Sequence, residues 1–399
     1  MAEAGPWLTI IGIGEDGPAG LGEASRIALA QAEVLLGAPR HLALVPEGVA
    51  ARRIAWPVPF AIDPLLAERG RRVVMLASGD PFWFGAGRLV ADRLTPGEWT
   101  AHPAPSSFAL AAARLGWAIE HCRCLGLHAA PLDRLRPLLA PGVCAILLLR
   151  DGAAVAALAD YLGGRGFAAS TLHIFEALGG PAERIRRVTA NATLPDDIRH
   201  PVAVALEVAG DGDTLPCVAG IDDGWFEHDG QISKRPMRAL ALSALAPRPG
   251  EHLWDIGAGS GAIGIEWLLA HPHTQATGFE RDPVRAARAA DNARRLGVDR
   301  LAIVTGTAPD CLFDRPPPDA IFIGGGLSTP LLTLLAATMP AGTRIVAHAV
   351  TLESEALLAE WHQRRGGTLL RIELADARPL GSRRGWRAGY PVVQWSAVL

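Results

Sequence analysis

The stretch Leu253-Trp254-Asp255-Ile256-Gly257-Ala258-Gly259-Ser260-Gly261-Ala262-Ile263-Gly264 decides how the chain is read. An apolar, β-rich run leads into a glycine-rich turn and then into a helix start. Glycine tolerates the positive φ of a tight turn. Without a side chain it lets a ligand lie against backbone N–H groups at a helix N-terminus, where the dipole favours a carboxylate. Gly259 to Gly264 also spells G-x-G-x-x-G, so a dinucleotide such as NAD must be weighed against S-adenosylmethionine (SAM). Three neighbours favour SAM. Asp255 precedes the first glycine, placed to accept hydrogen bonds from a ligand ammonium or the adjacent backbone. Thr277-Gly278-Phe279-Glu280 ends a second strand in an acid suited to two ribose hydroxyls. Pro318-Asp319-Ala320-Ile321-Phe322-Ile323-Gly324-Gly325-Gly326 ends a further strand in a glycine patch, where a bulky substrate can approach a methyl group.

Outward from this turn the second half continues as a helix from Arg285 to Leu296 capped by Gly297, then strands Ala302 to Thr305, Arg344 to His348, Thr368 to Glu373 and Val392 to Trp395. A doubly wound α/β sheet with late antiparallel strands accounts for these elements. Upstream, Ala209 to Gly224 is rich in Gly, Asp and Pro and has no periodicity, which reads as a linker. Before it, strands are expected at Leu8 to Ile13, Val73 to Ala77, Val143 to Leu149, Thr171 to Phe175 and Val202 to Val208, with helices such as Glu23 to Leu36 and Ala153 to Leu162. This alternation predicts α/β architecture with mainly parallel sheets in both halves. With 399 residues the chain exceeds one ordinary core. Domains are expected at 1–209 and 222–399.

Composition narrows the function. Apolar residues make up 49% and charged residues 20%, a globular balance. Before Gly210 there are 19 basic and 20 acidic residues, and after it 19 and 21, so neither half has the basic excess that nucleic acid demands. Lys234 is the one lysine among 38 basic residues. The five cysteines, Cys122, Cys124, Cys144, Cys217 and Cys311, are odd in number and lack metal or redox spacing, which fits a reducing cytoplasm and no metal. No apolar run reaches the roughly 18 residues that would span a bilayer.

In the first half, Gly12-Ile13-Gly14-Glu15-Asp16-Gly17 matches a nucleotide fingerprint only weakly, because Pro18, Gly20 and Gly22 delay the helix. Ala77-Ser78-Gly79-Asp80-Pro81-Phe82-Trp83-Phe84-Gly85 places a carboxylate on a loop at a strand end, and Pro105-Ser106-Ser107-Phe108 places two hydroxyls at a helix start. Taken alone, Asp80-Pro81 reads rather as a turn, and Ser106 or Ser107 as an N-cap.

Together with Leu125-Gly126-Leu127-His128 and Phe175-Glu176-Ala177-Leu178-Gly179, these segments resemble the class III tetrapyrrole methyltransferases of corrin biosynthesis, above all those that methylate C-5 of a precorrin. The resemblance covers about residues 7 to 208 and implies two α/β lobes around a cleft, with SAM against Gly79, Asp80 and Pro81 and near Ser106 and Ser107. The second half resembles the precorrin C-15 methyltransferases that also decarboxylate, with a Rossmann-like class I SAM fold. Supporting segments are Gly230-Gln231-Ile232-Ser233-Lys234-Arg235-Pro236-Met237-Arg238, Gly306-Thr307-Ala308-Pro309 and Val350-Thr351-Leu352-Glu353-Ser354. The resemblance implies SAM contacts at Ser233, Gly257, Ala258, Gly259, Ser260, Gly261, Glu280 and Ala308, to which the position of Asp255 before the first glycine adds a further candidate. Two departures stand out: Ser233 replaces a frequent Thr, and Leu125-Gly126-Leu127-His128-Ala129-Ala130 lacks the usual Ser-Leu-His-Gly-Arg.

The implied substrate is a tetrapyrrole carrying acetate and propionate groups, which cationic side chains would anchor. Lys234, Arg235 and Arg238 before the glycine turn, and Arg378, Arg383, Arg384 and Arg387 near the C-terminus, are candidates, with a solvated face as the plain alternative. His348 and Glu353 are candidates for moving a proton, against a structural role. The implied chemistry needs no protein nucleophile or metal, because the methyl donor is already activated. A homo-oligomer in the cytoplasm is expected. A NAD-dependent dehydrogenase and a non-catalytic tetrapyrrole carrier remain as other classes.

Overall fold

The computed structural model describes residues 5–313 and 315–399, and the chain divides into two compact units, one ending at Asp213 and one starting at Thr214, with Asp133–Pro137 grouped with the second.

The first unit holds two five-stranded sheets. One is wholly parallel and runs β3 (Arg52–Ala55), β2 (Val34–Gly37), β4 (Val73–Ser78), β1 (Leu8–Ile13), β5 (Trp99–His102). Its central strands are apolar along their whole length because both faces are covered: Val73, Met75 and Ala77 of β4 enter one core, Val74 and Leu76 the other. The second sheet runs β6 (Arg123–Gly126), β7 (Cys144–Leu149), β10 (Val202–Glu207), β8 (Thr171–Glu176), β9 (Arg184–Thr189). Only β6 and β7 are parallel here; the other pairings are antiparallel, which corrects the expectation of mainly parallel sheets.

A second correction concerns the helix expected from Glu23 to Leu36. It stops at Gln31, Ala32 turns to an extended conformation, and Val34, Leu35 and Leu36 form β2 with no exposed surface. One face of a helix cannot bury three consecutive side chains, whereas a strand covered on both faces does.

The second unit is one seven-stranded sheet in the order β13 (Leu301–Thr305), β12 (Gln275–Glu280), β11 (His252–Ile256), β14 (Ala320–Ile323), β15 (Arg344–Ala349), β19 (Val392–Val398), β16 (Thr368–Ile372). The first five strands are parallel, and β19 is antiparallel to both neighbours. Strand order reverses between β11 and β14, and in such sheets ligands bind at the strand C-termini beside that point. A separate hairpin, β17 (Ala375–Leu380) with β18 (Arg383–Ala388), was not expected from the sequence.

The Gly/Asp/Pro-rich stretch is packed at both ends. A Cβ on Gly212 would fall 2.2 Å from the Arg165 carbonyl of the first unit, while Leu215 and Ile221 are buried in the core of the second.

Candidate functional site

In the second unit the turn after β11 is built as its sequence demands. Gly257, Gly259 and Gly261 all have positive φ, and a Cβ on Gly257 would meet the backbone of Gly325 at 2.6 Å, so the ends of β11 and β14 touch through glycine alone. The N–H groups of Gly257 and Ala258 donate to the Phe279 carbonyl, and Gly259 N–H donates to Glu280 Oε2 at 2.8 Å. The other oxygen of Glu280 accepts from Asp282 N–H at 3.0 Å, so this acid fastens the glycine turn to the end of β12. Around Gly259 no other atom lies within 3.8 Å of a built Cβ, leaving the backbone open to a ligand there. The Gly306 N–H donates to the Glu280 carbonyl, which brings the Ala308 loop alongside.

Asp255 is 1% exposed and accepts from Gly264 N–H at 3.0 Å, holding the first turn of the helix Ala262–Ala270. Burial pushes its carboxyl up to about 7; the Gly264 hydrogen bond opposes that shift and the Glu280 charge adds to it.

Ser233 lies just before the helix Arg235–Leu245, and its carbonyl accepts from Arg238. Arg238 is no surface anchor, contrary to the sequence reading. It is fully buried, pairing with Glu266 and Asp223 and donating to the Ile221 carbonyl. The signal was present, since Arg238 falls on the same helical stripe as the buried Met237, Ala241, Leu242 and Leu245. Lys234 and Arg235 are exposed at the helix start, both against Asp223.

Arg383, Arg384 and Arg387 are exposed on β18. Strand alternation puts Arg383 and Arg387 on one face and Arg384 with Trp386 on the other, so two of the three share a face, about 13 Å apart along the strand. Arg378 lies on β17 beside Asp376. His348 on β15 is hydrogen-bonded to Gln394 at 2.9 Å and meets Phe322 edge-on, and its pKa is lowered chiefly by burial. Glu353 stands exposed on the first turn of the helix Leu352–Arg365.

The first unit has a cleft of about 470 Å³ lined from both of its sheets. Three motif segments meet at its floor. Gly79 N–H donates to the Ile13 carbonyl, and Ala104 N–H donates to the Gly79 carbonyl. A Cβ on Gly12 would lie 1.8 Å from the Gly79 oxygen, so glycine is required. Asp80 is partly buried, and its Oδ1 accepts from Phe82 N–H at 2.9 Å, an Asx turn. Pro81 is buried beneath Gly85 and Gly87. Ser106 is the N-cap of the helix Ser107–Leu115, its hydroxyl accepting from Ala109 N–H, while Ser107 lines the cleft one residue on.

Sequence reasoning missed the cleft's remaining polar wall. Arg40 pairs with Glu15 and donates to Ser78 Oγ at 2.8 Å, and His41 Nε2 lies 2.8 Å from the same hydroxyl. Burial, and then the Arg40 charge, depress the His41 imidazole to about 4. Arg150 and His200 also line the cleft. Among the described residues no group of three or more His, Cys, Asp or Glu is placed to hold a metal ion, and no helix is long and apolar enough to cross a membrane.

Two different glycine-loop sites on two α/β units define the class, a fused pair of methyltransferase folds. Residues 8–193 match the tetrapyrrole (corrin/porphyrin) methylases, and residues 224–399 match the precorrin methyltransferase domain. The chain is 49% identical over 98% of its length, and 96% of the relative, to a precorrin-6Y C(5,15)-methyltransferase [decarboxylating] of Sinorhizobium sp. It is 40% identical over 98% of its length, and 99% of the relative, to the protein of the same name from Mycobacterium tuberculosis. The chain therefore belongs to the precorrin-6Y C(5,15)-methyltransferase (decarboxylating) family. Among solved structures, the C-terminal domain of precorrin-6Y C5,15-methyltransferase from Rhodobacter capsulatus is 50% identical, covering 46% of this chain and all of its own, with a TM-score of 0.45.

Proposed function

We infer that the chain methylates a precorrin of the precorrin-6Y type at C-5 and C-15 with SAM, and removes the carboxyl of the ring C acetate, in cobalamin biosynthesis. The observation that carries this is similarity to bifunctional relatives over nearly the full chain, with a separate glycine-loop site in each unit. SAM supplies a methyl already activated on a sulfonium. What the chain must do is hold the donor, place a nucleophilic ring carbon in line with it and exclude water.

In the first unit, Gly79, Asp80, Pro81, Ser106 and Ser107 take the SAM, beside an aromatic wall of Trp83, Phe84 and Phe108. In the second unit, Gly257, Ala258, Gly259, Ser260 and Gly261 form the cradle. Glu280 takes the ribose, and Ser233, Asp255 and Ala308 complete the surround. The fit rests on the open backbone at Gly259 and on the carboxylate of Glu280 at its rim. Lys234, Arg235, Arg383, Arg384 and Arg387 serve the substrate carboxylates. His348, neutral near pH 7, and Glu353 are the proton-handling candidates for C-15 methylation and decarboxylation. The reading also has the enzyme act in the cytoplasm as a homo-oligomer, for which Leu380, Trp386 and Tyr390 offer exposed apolar surface.

The two units are separable enzymes. Residues 214–399, expressed alone, should bind SAM and yield a decarboxylated product with one added methyl, and residues 1–213 should add only the C-5 methyl. A 222–399 fragment should be less stable, because it lacks Leu215 and Ile221 of the core. Calorimetry on the whole chain should count two SAM sites. A single site, or a second fragment that folds but releases no carbon dioxide from the substrate, would overturn this division of labour.

A further inference from the structure

Arg150 and two histidines stand in one row across an end of the first unit's second sheet. Strands β6, β7 and β10 are consecutive neighbours there. Gly126 pairs with Leu148, and Leu149 with Val202. His128 lies two residues beyond the end of β6, held beside β7 by the Leu127 N–H to Leu148 carbonyl bond. Arg150 directly follows β7, and His200 lies two residues before β10. Side chains at the same end of three adjacent strands span roughly 10 Å, twice the spacing between strands. All three line the cleft.

Arg150 is largely exposed and held at one end of its guanidinium. Its Nε donates to Asp151 Oδ2 at 2.9 Å, while Asp151 Oδ1 caps the helix Gly152–Gly164 by accepting from Ala154 N–H. Both η nitrogens of Arg150 are without a hydrogen-bond partner among the described residues. The acids of the cleft are otherwise engaged: Glu15 pairs with Arg40, and Asp80 accepts from Phe82 N–H. His200 is held below its usual pKa by burial and then by Arg40, with Asp151 opposing, so at neutral pH it offers an uncharged N–H donor. Elsewhere the cleft is lined by Trp83, packed on Phe108 at 4.8 Å between ring centroids, and by Phe84, whose φ of 57° is rare for a bulky residue. An aromatic surface with a row of donors suits a flat apolar macrocycle with a carboxylate rim.

We propose that His128, Arg150 and His200 anchor the carboxylate rim of the tetrapyrrole in the first unit, with Arg150 as the central bidentate donor. This rests on the reading of that unit as the C-5 methyltransferase. SAM also carries a carboxylate, so the test separates the two sources. In the full-length enzyme, Arg150→Gln raises the KM for the tetrapyrrole in C-5 methylation at least tenfold and leaves SAM affinity unchanged. Arg150→Lys recovers part of the loss, His200→Asn raises KM about threefold, and the exposed Arg72→Gln changes nothing. An unchanged thermal unfolding transition of the first unit reports that the variant chains are folded there, since C-15 methylation reports only on the second unit. Unchanged KM in Arg150→Gln overturns the row, and a parallel fall in SAM affinity assigns Arg150 to the SAM carboxylate instead. If the unsubstituted enzyme does not methylate C-5, the reading of the unit fails. The row is then judged by equilibrium binding of uroporphyrin III, an octacarboxylate: tenfold weaker binding to Arg150→Gln supports it, and equal binding overturns it.

Discussion

Each unit carries an acid beside a glycine turn, and the two acids are built differently. Glu280 is nearly buried, and both its oxygens are occupied by backbone N–H groups of its own fold. Asp80 lines a cleft, and its Oδ1 accepts from Phe82 N–H in an Asx turn within its own loop. The contrast teaches that an acid beside a glycine turn can be taken up by backbone donors of its own fold, as at Glu280, or be held by a single turn and face a cleft, as at Asp80. Substitution should expose the difference.

The largest effect is expected where the first unit's loop has no slack. Gly12→Ala should abolish cooperative folding of the unit, since the new Cβ meets a backbone oxygen that cannot retreat. Gly22→Ala, with nothing within 4 Å, should shift the denaturation midpoint little. Equal behaviour of the two variants would break the account of the cleft floor.

Next comes Glu280→Ala, which strands two N–H groups and should cost roughly 3 kcal/mol in denaturant unfolding of residues 214–399. SAM affinity should fall at least tenfold as well. Lost affinity with full stability would make Glu280 resemble Asp80 and erase the contrast.

Asp255→Asn should act in the opposite direction. The folded carboxyl titrates near 7, above its ordinary value of 3.8. Between about pH 4 and pH 7 the unfolded chain is therefore ionised while the folded one keeps its proton, so stability falls as pH rises through that window and levels off above it. Asparagine retains an acceptor for Gly264 N–H without the charge. The variant should exceed the parent at pH 8 by on the order of 2 kcal/mol, with the gap closing toward pH 4. A gap independent of pH would remove the buried charge from the explanation.

Asp80→Ala is the smallest perturbation of folding, under about 1 kcal/mol, yet methylation at C-5 should be lost while C-15 methylation continues. A destabilised variant that still methylates C-5 would return Asp80 to a turn role.

In the first unit the sequence disclosed the interior strands except β2, read as helix, and hid the borders, whereas the edge strands β13 and β16 of the second unit were read. Leu8–Ile13, Val73–Ser78 and Val202–Glu207 are covered on both faces and read as apolar runs. The four strands at the sheet edges of the first unit, β3, β5, β6 and β9, went unseen. Arg184–Thr189 shows why: it is R-I-R-R-V-T, alternately half-buried and exposed, with too little apolar content to register. The hairpin Ala375–Ala388 was legible only at its Gly381-Ser382 turn, because both strands are exposed almost throughout. At the candidate site, the glycine turns and Glu280 could be named from local spacing. Arg40, His41, Arg150 and His200 did not, since they are spread over some 160 residues and only the fold brings them to one cleft.

The packing of Gly12 on Gly79, and of Gly79 against Pro105 and Ser106, also bears on transplantation. Three chain segments far apart in sequence interlock there, so Ser78–Gly85 grafted onto a foreign parallel sheet would arrive without the floor that shapes it. The turn at Gly257–Gly261 asks less of a recipient: a neighbouring strand that ends in a carbonyl and a glutamate supplies the bonds that Phe279 and Glu280 supply here. Of the two loops, the second is the cassette a designer can move, and the first travels only with its whole scaffold.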